Sequence, residues 1–279
     1  MTALKQHIDE TDFVIVDVET TGLSPDYGDR VCEVAAVKLR GGAVIETFAS
    51  LIDPCRPISA GAYAVNKISP KMLLGAPQFP EIAENFQQLI QHSVIVAYNA
   101  PFDVSFLNSE LRLSGHKPMT NSVVDALAIA RQLLPGLGKY PQENVARVVG
   151  IPFPVKHRAL EDVMVTAKIF ILFTSILKAY GMATLKDLSR TDMKHQLHEQ
   201  RLKIVEQSLE QRVNIWIKYL SSPEAEITDR IVTPKELSFP NTGRSEPAYL
   251  LAYCHSARAE RNFRIDRMLD IRPLPQNSV

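Results

Sequence analysis

Three separated segments of the sequence place carboxylates where catalysis could use them. Asp17 and Glu19 lie two residues apart at the end of a β-branched run, so both side chains leave the same face of a strand. Asp103 stands at the entry to a predicted helix, and Asp162 follows His157 by five residues. Four carboxylates gathered together would repel one another strongly without cations. Hard divalent ions with oxygen ligands would relieve that repulsion, and magnesium is the usual ion where phosphates complete the coordination shell.

Each feature taken alone also has an ordinary structural explanation. An Asp-x-Glu pair at a strand end can be a solvated edge or a turn cap. Asp103 can be an N-terminal helix charge favoured by the helix dipole, and His157 can be an exposed loop residue beside two basic neighbours. The order of the segments along the chain therefore has to decide between these interpretations.

The hydrophobic pattern predicts the elements that would carry these residues. Short β-branched apolar runs predict strands, apolar residues at helical spacing predict helices, and Gly41-Gly42 predicts a hairpin turn. The predicted strands are 13–19, 31–39, 43–52 and 94–97, and the predicted helices are 80–91, 104–113, 123–134, 142–149 and 159–180. Three opening strands followed by alternating helices and strands indicate an α/β fold, a mixed β-sheet flanked by helices.

The amino-acid sequences of the three acidic segments resemble the motifs of a known family. Asp17-Val18-Glu19-Thr20-Thr21-Gly22-Leu23, then Tyr98-Asn99-Ala100-Pro101-Phe102-Asp103, then His157-Arg158-Ala159-Leu160-Glu161-Asp162 are similar, in that order, to the three motifs of the DEDDh exonucleases of the DnaQ-like family. The resemblance covers about residues 10 to 180 and includes the connecting segments 64–69 and 75–79. It implies an RNase H-like sheet and removal of nucleotides one at a time from the 3′ end of a strand.

The resemblance also implies a role for each motif residue. Two magnesium or manganese ions would be held by Asp17, Glu19, Asp103 and Asp162, and His157 would deprotonate the attacking water. The residues expected to grip the terminal nucleotide are Thr20, Thr21, Gly22, Leu23, Asn99 and Phe102. The products would be nucleoside 5′-monophosphates. Tyr98 and Asn66 stand where many relatives have histidine. Neither position is an expected metal ligand, so this departure concerns how the substrate is held and not the reaction.

A second domain is expected after the polar segment that follows residue 181. Short extended segments predict a small β barrel or sandwich, and they lie at 213–219, 226–232, 249–255 and 262–271. Ala248-Tyr249-Leu250-Leu251-Ala252-Tyr253-Cys254-His255 and the segment 262–267 resemble a WYL domain, a Sm/SH3-like β module. We therefore predict a DEDDh exonuclease domain at 1–180, a linker at 181–195, and a WYL-like domain with a leading helix at 196–279.

The WYL resemblance implies binding of nucleic acid or a nucleotide-like effector. The residues that would bind this ligand are Tyr249, His255, Arg261 and Arg264. The guanidinium group of arginine can bind phosphate through two hydrogen bonds, and aromatic side chains can stack on nucleic-acid bases. The alternative is that the arginines of this region pair with Glu260, Asp266 and Asp270 on a solvated sheet face.

Composition limits the kinds of binding partner and the cellular compartment that we expect for this protein. Lysine plus arginine equals aspartate plus glutamate at 31 each, so the chain is not a general polycation for coating nucleic acid. The three cysteines are scattered and predict no disulfide framework. We see neither a signal-peptide core nor an apolar run long enough to span a bilayer, and expect a cytoplasmic protein without membrane contact.

Three points stay open at the level of sequence. The expected substrate is a single-stranded or frayed 3′ end, with DNA favoured over RNA, yet an RNA-trimming exoribonuclease of the same chemistry is an alternative. A catalytically passive regulator that binds nucleic acid or nucleotides is another. Some members of the family pair so that one subunit supplies basic residues to the other's site, so a homodimer is one expected assembly.

Overall fold

The computed structural model describes residues 5–153, 158–221, 226–240 and 247–275. The chain forms two compact units, which are described separately. The first comprises residues 1–129 and 151–172, and the second comprises residues 130–150 and 173–279. In the described part of the chain, none of the helices has the length and apolar character needed to cross a membrane.

A five-stranded mixed sheet forms the centre of the first unit. Its strands are β1 (Asp12–Thr20), β2 (Val31–Arg40), β3 (Ala43–Leu51), β4 (Val94–Ala97) and β5 (Val123–Asp125), in the order β3-β2-β1-β4-β5. The first three strands pair antiparallel, whereas β4 runs parallel to both β1 and β5. Gly41 and Gly42 connect β2 to β3 with positive φ angles of 57° and 81°, as a tight hairpin turn between twisted strands requires.

Helices cover the first sheet because its central strands are apolar on both faces. Val14, Ile15 and Val16 are successive β1 residues, and all three are buried. The remaining elements up to residue 179 are α1 (Ala60–Asn66), α2 (Phe79–Ile90), α3 (Ala100–Leu113), α4 (Ala126–Leu133), α5 (Gln142–Val148) and α6 (Ala159–Ala179). The apolar side of α2 packs into the core with β1, β2 and α3. On α6, Phe170 meets Phe13 edge to face at 4.9 Å between ring centroids.

The second unit contains a five-stranded antiparallel sheet. Besides α5, this unit contains α7 (Leu185–Leu188), α8 (Met193–Gln211), β6 (Ile215–Leu220), β7 (Ile227–Ser238), β8 (Tyr249–Cys254), β9 (Ala259–Arg264) and β10 (Met268–Pro273). The strand order of its sheet is β10-β6-β7-β8-β9. Leu202 and Val205 on α8 belong to the same buried cluster as the inward residues of the strands. One sheet face is therefore covered by a helix.

The predicted fold class is confirmed, and two local predictions need correction. The segment 123–134, predicted as one helix, begins as strand β5, because its first three residues pair with β4. The Asp125 carboxylate then accepts hydrogen bonds from the backbone N–H groups of Asn99 and Leu127 where the strand gives way to the helix. The segment 262–271 is not continuous, since a 3₁₀ turn divides β9 from β10. Helix α1 was not predicted. The predicted linker contains α7 and the start of α8. The domain boundaries themselves stay predictions.

Candidate active site

Strand β1 and helix α6 bring three carboxylates together. One carboxylate oxygen from each of Asp17, Glu19 and Asp162 lies within 4.8 Å of the other two. Asp17 and Glu19 share a face of β1 because they alternate along the strand. Asp162 comes from the first turn of α6, and its side chain is buried. Carboxylates at this separation can hold a divalent cation between them, and oxygen ligands suit magnesium or manganese.

Asp103 lies beside this group. It occupies the first turn of α3, which directly follows β4, the parallel neighbour of β1. Its Oδ1 atom accepts a hydrogen bond of 3.1 Å from the backbone N–H of Val18, the residue between Asp17 and Glu19. The Asp103 carboxylate is buried. The four acidic residues singled out from the sequence therefore lie around the end of β1.

Burial and mutual repulsion make these carboxylates hard to ionise when no cation is present. Burial raises the pKa of Glu19 to about 7, and repulsion from Asp162 and Glu33 adds to this shift. Burial likewise raises the pKa of Asp103 to about 8, although hydrogen bonds from the backbone N–H groups of Val18 and of Asp103 itself lower it. The pKa of Asp17 lies well above its usual value, first through burial and then through repulsion from the other acids. A cation would stabilise the ionised forms, so the donor set fits a divalent metal.

A cavity of about 410 Å³ adjoins the carboxylates. Its lining includes Glu19 from the acidic group and the side chains of Leu23 and Phe102. The Leu23 side chain is 87% exposed and borders this cavity. Among the described residues, the lining consists of Val18, Glu19, Thr20, Gly22, Leu23, Ser59, Gly61, Ala62, Val65, Asn66 and Phe102.

The loop that carries Leu23 is held rigidly by Asp29. The Asp29 carboxylate accepts hydrogen bonds from the Thr21 hydroxyl at 3.2 Å and from the Ser24 N–H at 3.2 Å. A Cβ atom on Gly22 would lie 2.2 Å from Asp29 Oδ2, so any larger residue would force this hydrogen-bonded carboxylate to move. The exposed Leu23 side chain is thus presented from a fixed backbone.

Two residues expected to grip the nucleotide do not line the cavity. Thr21 is completely buried, its N–H donates to the Arg30 carbonyl at 2.9 Å, and its carbonyl accepts from the Ser59 N–H at 3.0 Å. Thr21 therefore braces the loop from behind. Asn99 is exposed and takes a left-handed φ of 70° just before α3. His157, the expected general base, lies outside the described residues.

Helix α1, which forms one wall of the cavity, was not predicted from the sequence. Residues of α1 supply Ala62, Val65 and Asn66 to the lining. The available signal was Ser59, whose hydroxyl accepts a hydrogen bond from the Ala62 N–H and caps the helix. Glu33 was missed as well: it lies on β2 directly opposite Glu19 and is buried.

The four residues expected to form the WYL ligand site divide between two faces of the second sheet. Tyr249 on β8 pairs with Arg264 on β9, so the two share a face. Arg261 pairs with the buried Ala252 and, three residues from Arg264, points to the opposite face. The ring nitrogen Nε2 of His255 lies 2.9 Å from the Thr233 hydroxyl.

Two arginines of this sheet are paired as the alternative interpretation expected. Arg264 binds Asp266 through two hydrogen bonds of 3.1 and 2.7 Å. Arg272 binds the Asp270 carboxylate at 3.0 and 2.7 Å. The third acid, Glu260, pairs instead with Lys235.

Protein-family models match both parts of the chain. Residues 14–170 match the model described as Exonuclease, and residues 200–273 match the model described as WYL domain. The first match contains all four acidic residues of the site, and the second contains the five-stranded antiparallel sheet.

Relatives and solved structures agree with the first match. The chain is 39% identical over 170 residues to the DNA polymerase III subunit epsilon of Treponema pallidum (strain Nichols), covering 60% of this chain and 77% of that protein. It is 34% identical over 181 residues to the PolC-type DNA polymerase III of Staphylococcus haemolyticus (strain JCSC1435), covering 65% of this chain and only 12% of that protein.

Among solved structures, E. coli exonuclease I in complex with a dT13 oligonucleotide has a TM-score of 0.55 at 18% identity. The likeness covers 87% of this chain and 55% of that one, and it supports the fold. Because the Exonuclease match spans more than half of the 279 residues, the chain belongs to the Exonuclease family: it is a nuclease, a phosphodiester hydrolase, and it also carries a WYL domain.

Proposed function

We propose that this protein is a 3′→5′ exonuclease that hydrolyses single-stranded or frayed DNA ends to nucleoside 5′-monophosphates with two bound magnesium or manganese ions. One observation carries the proposal: the carboxylates of Asp17, Glu19 and Asp162 converge within 4.8 Å beside an apolar cavity that opens at the exposed Leu23. The acidic group supplies the chemistry, and the cavity supplies a place for the terminal nucleotide.

Each residue of the site has a task in this proposal. Asp17, Glu19, Asp103 and Asp162 would hold the ions, which when bound acidify a water and neutralise charge on the attacking and leaving oxygens. The Leu23 and Phe102 side chains would pack against the terminal base and sugar, and Thr20 and Gly22 would bound the same cavity. An imidazole nitrogen of His157 would accept the proton of the attacking water, since histidine is the side chain best suited to take up a proton near neutral pH.

DNA is the substrate that the relatives favour, since one is named DNA polymerase III subunit epsilon and another DNA polymerase III PolC-type. The choice is testable with one pair of strands. A 5′-labelled DNA strand and the same sequence as RNA are incubated with the protein and magnesium, and the products are resolved as a ladder. We expect single-nucleotide shortening from the 3′ end, faster on DNA. Faster shortening of RNA would favour the exoribonuclease alternative.

The test of the activity itself uses Asp17→Asn, which keeps the shape of the side chain and removes its charge. We expect this variant to lose the ladder while it folds normally by circular dichroism. Wild-type protein that binds the strand yet yields no ladder with magnesium or manganese would favour the passive-regulator alternative and contradict the proposal.

We also propose that the second sheet binds a nucleic-acid strand or nucleotide through the face that carries Tyr249 and Arg264, since a stacking ring beside a guanidinium suits a nucleotide. The opposite placement of Arg261 provides a matched control. In the Asp17→Asn background, Arg264→Gln should weaken binding of a fluorescent single strand, whereas Arg261→Gln should leave it unchanged. Equal losses would mean that both faces act only through general charge.

A further inference from the structure

We infer that Glu33 is a positioning residue of the metal site: it fixes the first turn of α6, and thereby Asp162, against the carboxylates of β1. This inference rests on the proposed metal-dependent function. Glu33 belongs to none of the three motifs that carry the family resemblance. It lies on β2, directly opposite Glu19 in the register of β1 and β2.

Glu33 makes a dense set of contacts with the start of α6. The Arg158 guanidinium donates to it three times: Nε lies 3.1 Å from each carboxylate oxygen, and Nη2 lies 2.6 Å from Oε1. The backbone N–H of Ala159, the first residue of α6, donates to Oε2 at 3.1 Å. A negative charge at a helix N-terminus is favourable, and here it also satisfies a backbone donor that the helix cannot pair internally.

These contacts lead directly to the metal ligand. The N–H of Asp162 donates to the carbonyl of Arg158 at 3.0 Å, which closes the first turn of the helix. Arg158 and Ala159 are thus fixed by Glu33 at one end of the turn, and Asp162 lies at its other end. Because Glu33 lies on β2 opposite Glu19, the turn is registered against the strand that carries Asp17 and Glu19.

The placement of another acid beside this group has a physical cost. Glu33 is buried, and its charge adds to the repulsion on both Asp17 and Glu19. Arg158 offsets that cost, because it neutralises Glu33 and its charge also favours the ionised form of Glu19. The pair therefore anchors the helix at a position where an unpaired carboxylate would make Asp17 and Glu19 still harder to ionise.

The chain provides a matched control pair in the same unit. Glu110 on α3 is also buried, receives two hydrogen bonds of 2.8 Å from Arg30, and accepts the Val31 N–H at 3.0 Å. Its contacts equal those of Glu33 in kind, but they do not involve the turn that carries Asp162. Loss of either charge should lower the melting temperature, and only one should loosen the metal site.

The experiment compares Glu33→Gln and Glu110→Gln with wild-type protein by Mn²⁺ titration calorimetry and by thermal unfolding. Partners that orient metal ligands typically contribute about 10- to 100-fold to metal affinity, so we expect Glu33→Gln to weaken Mn²⁺ binding by at least ~10-fold. We expect Glu110→Gln to lower the melting temperature comparably and to leave Mn²⁺ affinity unchanged. Arg158→Gln should match Glu33→Gln, and the double variant should be no weaker than either single variant.

The outcomes separate the inference from the function on which it rests. Wild-type protein that binds no Mn²⁺ would overturn both. Wild-type binding with unchanged affinity in Glu33→Gln would overturn the inference alone, as would an equal loss of affinity in Glu110→Gln, which would reduce Glu33 to a general stabiliser. If Glu33→Gln fails to fold, Arg158→Gln decides by the same criteria.

Discussion

The replacement Glu19→Gln should stabilise the metal-free protein at alkaline pH while it destroys the metal site. Burial raises the pKa of Glu19 from 4.5 to about 7 in the folded protein. A raised folded-state pKa contributes stability that is present below the unfolded pKa and is lost as the pH rises through the folded pKa. Metal-free wild-type protein therefore loses stability between about pH 4.5 and pH 7 from this residue.

The size of the expected stability change follows from the shift in the Glu19 pKa. One pKa unit corresponds to 1.36 kcal/mol, so a shift of roughly two and a half units costs about 3 kcal/mol when Glu19 is fully ionised. Glutamine at position 19 carries no charge and avoids this cost. The variant should gain most of that amount relative to wild type between pH 5 and pH 8.

The assay is urea unfolding of both proteins in the presence of a chelator at pH 5 and at pH 8. Added magnesium should restore the stability of wild type at pH 8 and leave the variant unchanged. Two results would refute the reasoning: a stability difference between the proteins that is the same at both pH values, or a variant that magnesium stabilises as strongly as wild type.

Three further predictions concern the ligands, the loop and the cavity wall. The apparent Mn²⁺ affinity should rise from pH 6 to pH 8, because Glu19, with a pKa of about 7, and Asp103, with a pKa of about 8, become ionised in this range. Mn²⁺ binding should therefore release protons, which calorimetry in buffers of different ionisation enthalpy measures. An affinity that does not change with pH would contradict this prediction. Gly22→Ala should raise KM for a single strand because its Cβ would lie 2.2 Å from an Asp29 oxygen, whereas alanine at Gly138, where a Cβ meets nothing within 4 Å, should leave KM unchanged. Asn66→Ala should cost about 1–3 kcal/mol in urea unfolding, since its buried side chain donates to Thr20 and accepts from Ile68; a loss below the error of the measurement would refute this.

Much of the fold could be predicted because local sequence and tertiary environment agree. Strand 94–97 and the hairpin at Gly41-Gly42 have both the composition and the turn residues that their conformations require. Strand β5 could not be predicted, since the three residues Val123–Asp125 are strand only because β4 pairs with them. Helix α1 has a glycine in its first turn and seven residues in all, so its stability comes from packing rather than from propensity.

The acidic site was predictable in its residue types but not in its support. Spacing identifies Asp17 and Glu19 as neighbours on one face, because alternation along a strand is a local property. The role of Asp29 depends on the closure of a loop onto Thr21 and Ser24. The role of Glu33 depends on the pairing of β1 with β2 and on hydrogen bonds from Arg158, which lies 125 positions away in the sequence. Such contacts depend on tertiary structure and leave no periodic signal. For the same reason Arg261 and Arg264, three residues apart in sequence, could not be assigned to opposite faces before β9 was defined.

The most direct test of the proposed chemistry is an anomalous difference map from crystals grown with Mn²⁺ and a nucleoside 5′-monophosphate. We predict manganese peaks at roughly 2.0–2.3 Å from carboxylate oxygens of Asp17, Glu19 and Asp162, with a second ion between Asp17, Asp103 and the phosphate. Manganese bound only elsewhere on the protein, or a phosphate seated away from these four side chains, would contradict the account.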